Sequence, residues 1–151
     1  MADVLYLLDS NILIRWIQPK DADYITVQSA LNTLVCQNAV LCYTSQNLAE
    51  FWNACTRPPD RNGYGLSPQE TDRRARIFEA KLRLLPDTSL VHEVWRKLLV
   101  SHNVCGVQVH DARLAAVMLV HGVARILTFN QRDFARYAGI EAIHPRSVSV
   151  D

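Results

Sequence analysis

Short apolar runs and amphipathic stretches take turns along this chain. VLYLL (4–8) is an unbroken apolar run that stops at Asp9-Ser10-Asn11, the pattern of a buried strand followed by residues able to cap a helix. ILIRWI (12–17) opens that helix, Pro19 breaks it, and a second helical stretch fills about 21–37. VLCYT (40–44) predicts a second strand, Ser45 an N-cap, and 46–56 a helix with Leu48, Phe51, Trp52 and Cys55 as its core stripe. TRPPDRNGYGLSP (56–68) is rich in proline and glycine and predicts a loop. The loop runs into Ser67, Pro68 and Glu70, the spacing of a capping box, and a helix to about 81. Leu82–Leu85 is a weaker third strand. Asp87 or Thr88 caps the next helix, which carries Val91, Val94, Trp95, Leu98 and Leu99 at helical spacing. A further helix beginning near Asp111 is apolar nearly all round (ARLAAVMLVHG), so it is predicted to be buried. Ala124–Thr128 and Ile140–Ile143 are the fourth and fifth strands.

Apolar strands alternating with helices predict an α/β fold, a three-layer α/β/α sandwich with a mostly parallel central sheet. At 151 residues, with no repeat or linker, the chain is expected to form one domain over 1–151. Composition adds exclusions. The formal net charge is +1, so bulk charge announces neither a nucleic acid nor a membrane surface. No apolar run approaches the ~20 residues needed to span a bilayer, and MADVLYLLDS has no basic segment of a secretory signal. Cys36, Cys42, Cys55 and Cys105 show no metal-like spacing and are read as small, buried, reduced side chains of a cytoplasmic protein.

The candidate chemistry lies in the acids. The strands of a parallel sheet end along one edge, and ligands bind in the crevice there. Asp9 follows the first strand, Glu50 lies six residues beyond the second, Asp133 five beyond the fourth, and Asp111 opens a helix expected to start at that edge. Each has a plainer reading. Asp9, Ser10 or Asn11 can cap the first helix, and Asp111 can cap its own. Glu50 points roughly opposite its helix's core stripe, among Gln46, Asn47, Asn53 and Ala54, as a solvated glutamate or as part of a wet cleft wall. Asp133 sits in a turn where exposure is the default. Converging carboxylates repel one another. A hard divalent cation such as Mg²⁺ or Mn²⁺ relieves that repulsion and suits phosphodiester hydrolysis.

LLDSNILI (7–14), LAEFWN (48–53), HDARLAAV (110–117) and LTFNQRDF (127–134), in this order and at this spacing, resemble the PIN-domain family over nearly the whole chain. In size they look most like the VapC-type toxins of bacterial toxin–antitoxin pairs. The resemblance implies an α/β/α fold and an Mg²⁺- or Mn²⁺-dependent ribonuclease. It also implies an acidic cluster of Asp9, Glu50 and Asp111, with Asp9 and Asp111 as principal metal ligands and Glu50 ligating directly or through water. The chain departs from the family in its last motif. Where a further acid often follows the threonine by two residues it has Asn130; either Asn130 or Asp133 completes the site, and the fourth role is assigned to Asp133. Thr128, Asn130 and Ser10 are expected to shape the pocket by hydrogen bonds. A small antitoxin partner and a homodimer are implied too, with Ile14, Ile17 and Ile25 on the first two helices available for either interface or for the core.

RNA needs cations at its phosphates. The segment 57–83 is rich in arginine. Much of it reads as a charged helix face, and Arg57 and Arg61 in the proline-rich loop are the candidates for substrate contact. His110, beside Asp111, is given no catalytic role, and Trp16, Trp52 and Trp95 read as core or interface. Two other functions compete. One is an RNA- or protein-binding module of the same fold with a degenerate metal site, against which the retained acids argue. The other is a phosphotransferase using Asp9 as nucleophile, of the haloacid dehalogenase kind, which wants a second aspartate where this chain has Asn11.

Overall fold

The computed structural model describes residues 3–148, so Met1, Ala2 and residues 149–151, the ends of the expected 1–151 domain, lie outside it. Five strands form one parallel sheet: β1 (Val4–Leu8), β2 (Ala39–Tyr43), β3 (Arg83–Leu84), β4 (Arg125–Leu127) and β5 (Glu141–Ile143), in the order β3-β2-β1-β4-β5. Among the described residues six α-helices cover it: α1 (Ser10–Trp16), α2 (Tyr24–Cys36), α3 (Ser45–Thr56), α4 (Pro68–Lys81), α5 (Ser89–Ser101) and α6 (Gln108–His121).

The period-2 alternation of the strands separates two cores. Leu8, Leu41, Tyr43 and Leu127 face α1–α4, where Ile12, Leu31, Phe51 and Phe78 pack. Leu7, Cys42 and Ile126 face α5 and α6. The chain lays strands outward from β1 to β3 with its helices on one face. It then returns past β1 to β4 with α5 and α6 on the other. Right-handed crossovers require that change of face when the direction reverses. The order therefore switches between β1 and β4, where a crevice opens beyond the strand ends.

The structure shifts several local expectations. α3 is capped by Thr44, not Ser45: the Thr44 hydroxyl accepts from Asn47 N while Asn47 Oδ1 accepts from Thr44 N. Only half of the Ser67–Glu70 box forms, because Ser67 accepts from Glu70 N at 3.1 Å while the Glu70 carboxylate turns to Arg73 and Arg74. Thr88 caps α5, and Asp87 pairs with Arg113. β3 has two residues, with Leu82 and Leu85 buried beside it. Cys36 and Cys105 are exposed, since one ends α2 and the other sits in the turn between Asn103 and Gly106, both at positive φ. Cys42 and Cys55 are buried as expected, and all four are free thiols. Among the described residues no helix is long and apolar enough to cross a membrane.

Candidate acidic site at the sheet switch point

Asp9 is the first residue beyond β1. Its N–H still donates to Leu127 O on β4 at 3.0 Å, so its backbone is an extension of the sheet. Its side chain caps α1. Oδ1 accepts from Ser10 N at 2.8 Å and Oδ2 accepts from the Thr128 hydroxyl at 2.7 Å. Asp9 is buried, which raises its pKa, and the two hydrogen bonds only partly oppose that; Glu50 and Asp133 raise it further.

Thr128 is fully buried at the end of β4. Besides donating to Asp9, its Oγ accepts from Asn130 N at 3.0 Å and, at 3.4 Å, from Asn11 Nδ2. Asn130 thus contributes its backbone to this network, while its side chain is in an exposed residue. Ser10 is buried too, and its Oγ accepts from Asn47 Nδ2 at 3.2 Å. Asn47 is fully buried and joins the caps of α1 and α3. The cleft wall imagined around Glu50 loses this residue to the interior.

Asp111 does not cap its helix. α6 starts at Gln108, with Val107 at the N-cap and no side-chain cap bond, so Asp111 is the fourth helical residue. Half-buried, it is pushed up to about 7, first by burial and then by Asp133, Asp9 and Glu50, with Arg136 opposing. Glu50 is exposed on α3 and accepts from Gln46 Nε2 at 2.9 Å. Asp133 is part-buried in the 3-10 turn Gln131–Phe134 that follows β4. Four carboxylates from four separate segments therefore share one electrostatic field beyond the ends of β1 and β4.

The donor set is all oxygen and anionic, which suits a hard divalent cation. Among the described residues, no three His, Cys, Asp or Glu side chains are close enough together to hold one ion.

The predicted substrate cations are placed differently. Arg57 is partly buried at the end of α3 and donates to Asn62 O at 3.2 Å, tying down its own loop. Arg61 is exposed, with no ion pair among the described residues. Arg73, Arg74 and Arg76 are occupied by Glu70 and Asp72 along α4. Sequence reasoning named Asn11 only as a helix cap and Gln46 and Asn47 only as possible cleft-wall neighbours of Glu50, and it missed Arg136. Arg136 donates to Gln108 Oε1 at 2.6 Å, against the first turn of α6, and is the cation whose charge Asp111 feels. Only Asn47 left a signal, three residues after a threonine at a strand end.

The sequence matches the PIN domain family over residues 6–140. No curated protein matches it in sequence. The fold is similar to VapBC2 from Rickettsia felis, solved bound to a DNA fragment from their promoter, at 17% identity with a TM-score of 0.67, covering 93% of this chain and 98% of that one. DNA-bound VapBC from Salmonella typhimurium has 21% identity and a TM-score of 0.66, covering 96% and 99%. VapC20 from Mycobacterium tuberculosis, a toxin that cleaves the sarcin–ricin loop, has 19% identity and a TM-score of 0.65, covering 90% and 98%.

Proposed function

This chain belongs to the PIN-domain family, and on that footing we propose that it is a divalent-metal-dependent endoribonuclease and the toxin of a toxin–antitoxin pair. The observation that carries the proposal is the meeting of Asp9, Glu50 and Asp111 beyond the strand ends, where the Thr128 hydroxyl holds Asp9 and Gln46 links Glu50 to the backbone beside Asp111. The toxin assignment is supported by the fold of VapC20 and of the VapBC complexes.

In this reading Asp9, Asp111 and Glu50 would hold Mg²⁺ or Mn²⁺, with Asp133 completing the cluster, and the cation would activate water and offset charge developing on the phosphate. The chain's own residues preorganise the site. Ser10 N and the Thr128 hydroxyl fix both oxygens of Asp9 in one orientation. Asn11 and Asn130 N hold Thr128 in turn, so its proton is committed to Asp9. Burial keeps Asp9 and Asp111 short of the solvation that would otherwise compete with a cation. Arg57 closes α3 and Arg61 ends the Pro59–Arg61 turn that follows, and the proposal assigns them the RNA phosphates. The proposal includes a small antitoxin protein covering the cleft, a homodimer, and a cytoplasmic site of action.

The test is a Mg²⁺ and Mn²⁺ titration with a mixed structured RNA, run beside Asp9→Asn and Asp111→Asn. We expect metal-dependent cleavage in the wild type and its loss, by at least 100-fold, in both variants. Metal-independent cleavage, or Asp111→Asn cleaving as fast as the wild type, would overturn the mechanism. A protein that binds RNA but no metal would leave the binding-module reading in its place.

A further inference from the structure

Gln46 stands one turn before Glu50 on α3 and faces α6. Its Nε2 donates to Glu50 Oε1 at 2.9 Å and to His110 O, also at 2.9 Å. Both partners only accept, so the pair of amide N–H groups is the one part of this side chain that serves both at once. His110 directly precedes Asp111. The amide therefore spans from the carboxylate of one proposed ligand to the main chain beside another, across two helices separated by more than 50 residues of sequence.

Glu50 needs such a hold. It is exposed, and a glutamate on a helix face samples many rotamers in water. Asp9 is fixed by two hydrogen bonds and Asp111 rides on a buried helix. Among the described residues, Gln46 is the side chain that hydrogen-bonds the Glu50 carboxylate. Gln46 is itself anchored on a backbone carbonyl, which does not change rotamer.

We infer that Gln46 is a positioning residue, which holds Glu50 toward the α6 side of the acidic site. The inference rests on the nuclease reading and adds to it a residue that the acid motifs do not contain. A leucine at this position keeps the bulk and loses both donors. A glutamate keeps the shape, loses the donors and adds a fifth carboxylate beside Glu50. Partners that orient a metal ligand typically change affinity or activity by about 10–100-fold when removed.

The experiment compares wild type, Gln46→Leu, Gln46→Glu, Glu50→Ala and the Gln46→Leu/Glu50→Ala double variant by Mn²⁺ titration and by RNA cleavage. Hydrogen exchange over 107–111 is followed in the metal-free proteins. We expect Gln46→Leu to weaken Mn²⁺ binding about 10-fold with an unchanged melting temperature, and Gln46→Glu to weaken it more. In the Glu50→Ala background the leucine substitution should add less than about 2-fold, because its effect passes through Glu50. Exchange over 107–111 should rise in Gln46→Leu. Wild-type metal binding in Gln46→Leu, or effects that multiply fully with Glu50→Ala, overturns the inference. If the wild type neither binds Mn²⁺ nor cleaves RNA, it is the nuclease reading that fails. Exchange then decides the tie alone: faster exchange in Gln46→Leu upholds it, and unchanged exchange ends it.

Discussion

Thr128 has no exposed surface and one hydroxyl, yet it meets three partners: Asp9 as acceptor, with Asn130 N and Asn11 Nδ2 as donors. Replacing it with valine keeps the shape and leaves a buried carboxylate oxygen without its donor. A hydrogen bond to a charged group is worth about 1.5–3 kcal/mol, so Thr128→Val should destabilise the fold by about that amount in urea. It should also weaken Mn²⁺ binding about 10-fold or more, since Asp9 is freed to rotate. Thr128→Ser should restore both. Valine behaving as wild type in denaturation and in metal titration would show that the hydroxyl is idle. Asp9, Asp111 and Asp133 stood out as candidate acids because each follows a strand or sits near the start of a helix, whereas Glu50, the sixth residue of α3, was singled out by the motif resemblance. Their supports were not. Asn47 looked like one more polar residue on a helix face, and only the approach of α1, 37 residues away, gives it Ser10 to bond.

At the scale of elements, the apolar runs announced all five strands and the order of the helices, because burial of period-2 and period-3.6 patterns is a local code. Helix starts were less legible. α6 begins at Gln108 without a side-chain cap, and nothing in VCGVQVHD marks that start. Tertiary bonds tie that first turn instead: the Trp95 indole N–H donates to Val109 O at 2.9 Å, Gln46 to His110 O, and Arg136 to Gln108. The interface residues divide in the same way. Ile14 and Ile17 pack against the α1–α4 core, while Ile25 stays 78% exposed on α2 and Val35 58%. Ile25 lines one cavity and Val35 another, and Gln28, Asn32 and Cys36 are shared between the two. For the proposed homodimer this strip is the surface to disrupt. Light scattering should give a dimer for the wild type and a monomer for Ile25→Asp/Val35→Asp. The melting temperature should hold, apart from any loss of dimer stabilisation, because neither side chain is part of a core. A wild-type monomer would end the dimer proposal and leave α2 as a candidate face for the proposed antitoxin.

For the whole molecule, the same sheet that gathers the acids makes folding and the proposed cation binding compete with protons. In the metal-free protein Asp111 is pushed up to about 7 from 3.8, and Asp9 moves in the same direction. A carboxyl whose folded pKa lies above its unfolded one binds more protons when folded. Stability is therefore lost as pH rises from about 4 through about 7, and the penalty is complete above that. Asp111 is half-exposed, so solvent screening reduces its share to about 1–2 kcal/mol, or about 2–8 °C in a chain of this size. In EDTA the wild type should thus melt several degrees lower at pH 8 than at pH 5.5. Asp111→Asn should lose much of that slope and, at pH 8, be the more stable protein. Adding Mg²⁺ should reverse the order at pH 8, since a cation that binds only the folded state stabilises it in proportion to how well it competes with protons. At pH 5.5 the same Mg²⁺ should do much less. Parallel melting curves for the two proteins across this range, with and without Mg²⁺, would mean that Asp111 pays no electrostatic penalty for its place among the acids. The case for a cation there would then rest on sequence resemblance alone.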